Sequence, residues 1–93
     1  MLGAKLKELR EAKGFVQRQV ASKLEVDTAY VSKMENNEKP VSKNHLKKLA
    51  VLFDFPEREL HTLWLADKLY GITKNEPDAL KAVTLIQKQL QKK

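Results

Sequence analysis

Side chains that could carry acid–base, nucleophilic or metal chemistry occur in this chain but are scattered along it. The two histidines, His45 and His61, lack the H-E-x-x-H spacing of a helical zinc site, and there is no cysteine to supply a thiolate. The carboxylates do not gather into an acid and base couple, and no Gly-rich phosphate loop or Ser-His-Asp arrangement can be assembled. We therefore expect a protein that is not an enzyme and that holds no metal and no cofactor.

A group of small polar and cationic side chains falls on one side of a short predicted helix. Val31 and Met34 form the apolar pair that would seat this helix on the core, so the opposite face points outward. Such a face suits the major groove of DNA, which is about 12 Å wide and admits one helix. The residues alone leave an ordinary solvated surface open as the alternative. The outward residues are Thr28, Ala29, Ser32 and Lys33.

The scarcity of helix-breaking residues indicates that the chain is helical throughout. Three Gly and three Pro occur among 93 residues, and they lie where helices would begin or end. Asp27 and Ser42 are the expected N-caps of helices 3 and 4, while Gly14 and Gly71 follow the expected ends of helices 1 and 5. The apolar spacing predicts six helices at 2–13, 17–24, 28–36, 43–53, 56–70 and 77–90.

Length, composition and charge bound the class of protein. A chain of 93 residues supports one small core. Its apolar runs are too short to cross a bilayer, and Lys5, Lys7 and Glu8 interrupt any signal peptide, so we expect a cytoplasmic protein without membrane partners. The net charge of +6 favours an anionic partner, without choosing among nucleic acid, lipid headgroup and acidic protein.

A specific set of residues marks the stretch from about residue 6 to residue 55. It comprises Leu-Arg-Glu-Ala-Lys-Gly at 9–14, Gln17, Ala21, Val26, Tyr-Val-Ser-Lys-Met-Glu at 30–35, Asn36, Pro40 and Leu49-Ala50. With these residues the sequence resembles the helix-turn-helix regulators of the lambdoid phage repressor and Cro type, the XRE family. The resemblance implies an all-α, lambda-repressor-like DNA-binding domain of five helices at 1–72, followed by an additional C-terminal helix at 73–93.

The resemblance also implies how the family's functional positions map onto this chain. Helix 3 would enter the major groove, and dimers would bind operators of two-fold symmetry. Lys33 could contact guanine, worth about 1 to 3 kcal/mol of discrimination, or a phosphate. Arg10 and Glu35 occupy the places of a structural ion pair that ties helix 1 to the end of helix 3. The base-contacting positions are Thr28, Ala29, Ser32 and Lys33, and the backbone-contacting positions are Gln17, Arg18, Tyr30, Asn36, Lys39, Lys43 and Asn44.

One position departs from the family pattern. The turn after helix 2 usually holds Gly in the family, whereas this chain has Glu25. A residue other than Gly at positive φ costs on the order of 1 kcal/mol. We therefore expect this turn to be strained or to differ in shape, and we expect Glu25→Gly to stabilise the fold.

Helix 5 carries more apolar residues than a single buried face can use. A second face must be covered, either by helix 6 of the same chain or by a second copy. We expect a homodimer through helices 5 and 6. The candidate interface residues are Trp64, Leu65, Leu69, Ile86 and Leu90.

Together these expectations describe a dimeric transcriptional repressor that binds a double-stranded DNA operator. Few residues follow the dimerising helix, so no small-molecule ligand is expected. A phage or plasmid repressor, an autoregulating antitoxin and a restriction-modification controller all fit the resemblance. The alternative from another class is a protein-interaction module or antitoxin that uses the same fold to bind a partner protein. Salt-sensitive DNA binding would favour the first function, and a tight complex with an acidic protein the second.

Overall fold

The computed structural model describes residues 1–92. Over this range the chain contains α-helices and one short 3-10 helix but no strand, which confirms the expected all-α fold. None of the helices within these residues is long and apolar enough to cross a membrane. The helices are α1 (Leu2–Ala12), α2 (Gln17–Leu24), α3 (Thr28–Glu35), the 3-10 helix (Lys43–His45), α4 (Leu46–Phe53), α5 (Glu57–Thr73) and α6 (Ala79–Gln91).

The core lies where α1 to α5 converge. Each of these helices turns an apolar stripe inward, as the spacing of their apolar residues predicts. The small side chain of Ala21 is buried where α2 meets α3, and it allows the two helices to approach closely. The largest fully buried side chains are Leu6, Val20, Val31, Met34, Leu46, Leu49 and Leu60.

The turn between α2 and α3 has the geometry that the sequence predicts. Glu25 adopts φ 58° and ψ 43°, a left-handed conformation, and its N–H donates to the carbonyl of Ser22 at 3.2 Å. Because Glu25 has a Cβ, this conformation costs on the order of 1 kcal/mol. Asp27 then begins α3, since its Oδ1 accepts the backbone N–H of Tyr30 at 2.8 Å. The positive φ at Glu25 and the N-cap at Asp27 are both confirmed.

The predicted helix at 43–53 begins with a 3-10 helix instead of α-helical structure. Ser42 is an N-cap, as predicted, because its Oγ accepts the N–H of Asn44 at 3.3 Å. The helix that it caps is the 3-10 helix, however, and regular α-helical structure begins only at Leu46. A 3-10 turn is a common form of helix start, and here it carries Lys43 and Asn44 on an exposed surface.

Helix α5 is longer than the sequence predicts. The sequence pattern ends this helix before Gly71, but the helix continues through Gly71 to Thr73, so that prediction is wrong. A single glycine inside a helix costs only about 1 kcal/mol relative to alanine and does not by itself end it. The hydroxyl of Thr73 also donates to the carbonyl of Leu69 at 2.8 Å, within the last turn.

Helix α6 contributes no buried residue. Leu80, Ile86 and Leu90 are 85%, 43% and 61% exposed. On α5, Leu65 and Leu69 remain 47% and 42% exposed. The alternative in which helix 6 covers the second apolar face of helix 5 within one subunit therefore disagrees with this structure.

Candidate nucleic-acid interface

The outward face of α3 carries the residues that the sequence predicts to contact bases. Thr28, Ala29 and Lys33 are exposed, and Ser32 is half-buried. Their i, i+4 spacing places them on one side of the helix, opposite the buried side. Two hydroxyls, two methyl groups and one ammonium therefore lie together on the outward side of α3.

A buried ion pair fixes the end of α3 to α1. Arg10 Nε donates to Glu35 Oε2 at 2.7 Å, and Arg10 Nη2 donates to Glu35 Oε1 at 3.2 Å. Arg10 Nη1 also donates to the carbonyl of Phe15 at 2.8 Å. The Glu35 side chain is only 3% exposed, and its hydrogen bond raises the pKa of the Arg10 guanidinium above the usual value. These bonds join α1, α3 and the segment before α2.

Gln17 belongs to the same network. Its Nε2 donates to Glu35 Oε1 at 3.0 Å, and the side chain is half-buried at the start of α2. The family resemblance implies a phosphate contact for this residue. A primary amide carries two N–H donors, so the bond to Glu35 orients Gln17 and leaves one donor for an outside acceptor.

Tyr30 has an internal partner where the family resemblance implies a phosphate contact. Its hydroxyl donates to the carbonyl of Pro40 at 3.3 Å, and its ring meets the edge of His45 with centroids 6.0 Å apart. A phenol has one hydrogen to donate, and phosphate oxygens only accept. While Tyr30 holds Pro40, its hydroxyl has no hydrogen to donate to the DNA backbone, so the predicted phosphate contact requires this bond to break.

The remaining residues predicted to contact the DNA backbone are exposed. They flank the outward face of α3, either near the start of α2 or in the segment of residues 36–45 that links α3 to α4. They are Arg18, Asn36, Lys39, Lys43 and Asn44.

Trp64 lies partly inside its own subunit, although the sequence predicts it as an interface anchor. The indole Nε1 donates to the carbonyl of Val41 at 2.8 Å, and the ring packs against the core. A half-buried tryptophan usually has a hydrogen-bond partner for its N–H, and Val41 is that partner here. The other four interface candidates, Leu65, Leu69, Ile86 and Leu90, are exposed.

Comparison with known proteins agrees with this geometry. The model of a family described as helix-turn-helix domain matches residues 1–63. Among solved structures, a chain of the SinR protein/SinI protein complex is similar with a TM-score of 0.58 and 22% identity, over 100% of both chains. No curated protein matches. The likeness to the solved structure concerns the fold alone, but the family model covers most of the chain. The chain therefore belongs to the family of helix-turn-helix domains, which supports DNA binding and transcription regulation as its general role.

Proposed function

We propose that this protein is a sequence-specific, non-enzymatic regulator that places α3 in the major groove of double-stranded DNA. The observation that carries the proposal is the contrast between the two sides of α3. Its inner side is locked by the buried Arg10–Glu35 pair, while its outer side presents Thr28 and Lys33 without cover. A rigidly held helix with an open polar face suits direct contact with base edges.

The proposed interface contains two classes of contact, one to the bases and one to the sugar-phosphate backbone. Thr28, Ala29, Ser32 and Lys33 contact bases in this proposal, with Ala29 able to touch only a thymine methyl group. Contacts to the sugar-phosphate backbone fix the position of the protein on the duplex. The backbone set is Gln17, Arg18, Tyr30, Asn36, Lys39, Lys43 and Asn44, and Tyr30 joins it on release of its bond to Pro40.

The regulator acts as a homodimer in this proposal. A two-fold operator presents half-sites about 34 Å apart, one helical turn of DNA. Apolar residues of α5 and α6 are exposed in one subunit, and a second copy of the chain would cover them. They include Leu65, Leu69, Ile86 and Leu90. A dimeric protein that occupies an operator in this way is suited to repression, because it blocks access to the DNA that it covers.

Selection of bound duplexes from a random pool tests the proposal directly. The expected result is an enriched motif with two-fold symmetry, bound with a strong inverse dependence on salt. A pool that shows no enrichment, together with binding that stays flat in dilute buffer, would refute it.

Lys33→Ala separates the two roles open to that lysine. Unequal losses among operator variants that differ at one base pair indicate a base contact, and equal losses indicate a phosphate contact. Lys7→Ala is the matched control, because Lys7 is exposed on α1. The Lys7→Ala variant should bind the operator duplexes with the affinity of the wild type.

A second candidate function is binding of a partner protein through the apolar surface of α5 and α6. The exposure of that surface favours it, and the similar solved chain belongs to a complex of two proteins, SinR and SinI. Co-purification of a stoichiometric partner whose binding is abolished by Leu69→Asp, in a protein without salt-sensitive DNA binding, would favour this alternative.

A further inference from the structure

The link between α3 and α4 is held from both sides by aromatic donors. Tyr30 of α3 donates its hydroxyl to the carbonyl of Pro40 at 3.3 Å, and Trp64 of α5 donates its Nε1 to the carbonyl of Val41 at 2.8 Å. Residues 40–42 belong to no helix. Their main chain is therefore positioned by side chains from two different helices.

Trp64 also lies under the side chain of a proposed phosphate contact. The ammonium of Lys43 is 5.8 Å from the centroid of the indole ring, within the range of a cation–π interaction. Lys43 is the first residue of the 3-10 helix that Ser42 caps, directly after Val41 and Ser42. One residue of α5 thus holds both the main chain before Lys43 and the head group of Lys43.

A second cation contacts the same indole ring. Lys68 lies closer to the same ring, with its ammonium 4.7 Å from the centroid. A phosphate oxygen offers Lys43 a charge-assisted hydrogen bond, which is stronger than a cation–π contact at an exposed site. A phosphate can therefore displace the indole as the partner of Lys43, while Lys68 keeps its contact with the ring.

We propose that Trp64 is a positioning residue for DNA binding, which presents Lys43 to a phosphate of the operator. The indole N–H fixes the carbonyl of Val41 and so positions the main chain that leads to Lys43. In the free protein the ring contacts the Lys43 ammonium, and on DNA binding the ammonium moves to the phosphate. This inference rests on the proposed function, because it assigns the partner of Lys43 within the same DNA interface.

A double-mutant cycle on a selected operator duplex tests the coupling. Lys43→Ala should weaken binding roughly tenfold, as expected for loss of one charged hydrogen bond. The slope of log affinity against log salt should then fall by about 0.9. Trp64→Phe keeps an aromatic ring but removes the N–H, and it should weaken binding by roughly three- to tenfold. In the double variant the two losses should not add, because both act on the same contact.

Two controls separate positioning from a general loss of structure. Trp64→Phe with Arg18→Ala should give additive losses, because Arg18 lies on α2. Lys68→Ala should leave affinity unchanged, although Lys68 is the nearer cation on the ring. Additive losses for Trp64 with Lys43, measured on variants that melt as the wild type does, would overturn the inference.

Fluorescence gives a test that leaves Trp64 in place. The sequence contains one tryptophan, so its emission reports this site alone. Titration with the duplex should change the emission of the wild type and of Lys68→Ala, but not that of Lys43→Ala. An equal change in Lys43→Ala would overturn the inference. If the wild type itself shows no salt-sensitive DNA binding, the proposed function fails instead, so the two failures are distinguishable.

Discussion

Gly3 packs against the main chain of Glu35. A Cβ on Gly3 would lie 2.8 Å from the carbonyl oxygen of Glu35 and 2.6 Å from Oδ1 of Asn37, and it would also collide with the carbonyl oxygen of Met34. The first turn of α1 therefore contacts the end of α3 through backbone atoms. Glu35 is fixed twice, through its main chain by Gly3 and through its carboxylate by Arg10.

Substitution of two helical glycines by alanine should have opposite effects. Gly3→Ala should lower the free energy of unfolding by about 1 to 3 kcal/mol, because the new methyl group overpacks the α1–α3 contact. Gly71→Ala is the matched control in α5, where an added Cβ meets nothing within 4 Å, and it should raise that free energy by about 0.5 to 1 kcal/mol. Urea unfolding measures both. An unchanged midpoint for Gly3→Ala would contradict the close approach.

Relief of the left-handed turn should stabilise the protein. Glu25→Gly should raise the free energy of unfolding by up to about 1 kcal/mol, less the greater freedom of glycine in the unfolded chain. Lys23→Gly, an exposed helical position two residues earlier, should lower it by about 1 kcal/mol. Thermal melting compares the two variants with the wild type. Equal or lower stability of Glu25→Gly would show that the turn is not strained at this residue.

Removal of one partner of the buried ion pair should destabilise the fold. Arg10→Met leaves the carboxylate of Glu35 buried without its cation and should cost about 3 to 5 kcal/mol. The double variant Arg10→Met/Glu35→Met should lose less than the sum of the single variants, because no charge is left uncompensated. Chemical unfolding gives both values. The folded fraction should select the same DNA motif as the wild type, and a changed motif would indicate that the pair contacts DNA.

The apolar surface of α5 and α6 should hold two copies together. Sedimentation at micromolar concentration should give a dimer mass for the wild type and a monomer mass for Leu69→Asp, because a buried carboxylate is costly at an apolar interface. Val51→Asp is the control, since Val51 is exposed on α4 and should leave the dimer intact. A monomer mass for the wild type would contradict the proposed dimer.

Features that depend on neighbouring residues could be predicted from the sequence. Asp27 lies directly before an apolar pattern at helical spacing, so both the cap and the start of α3 follow from local chemistry. The strained turn was predictable from the family resemblance instead, because the family usually has Gly where this chain has Glu25. The exposed face of α3 follows from the same pattern, because the apolar residues assign its other face to the core.

Features that depend on distant partners could not be predicted in this way. The bond from Trp64 to Val41 requires the rotation of α5 on the core, which is fixed by packing around buried residues such as Leu60. The bond between Tyr30 and Pro40 depends similarly on the path of a segment without regular structure. The continuation of α5 through Gly71 depends on a small free-energy difference, which a residue-by-residue rule does not resolve.

Because α6 has no buried side chain, its residues do not contribute to the core of the subunit. The stability of one subunit and its association with another can therefore depend on different residues. Within one subunit, mutations along that helix are free of the packing constraints that govern α1 to α4. In the proposed dimer, substitutions of its apolar side chains can therefore change which subunit associates without disturbing the packing of α1 to α4 that positions α3.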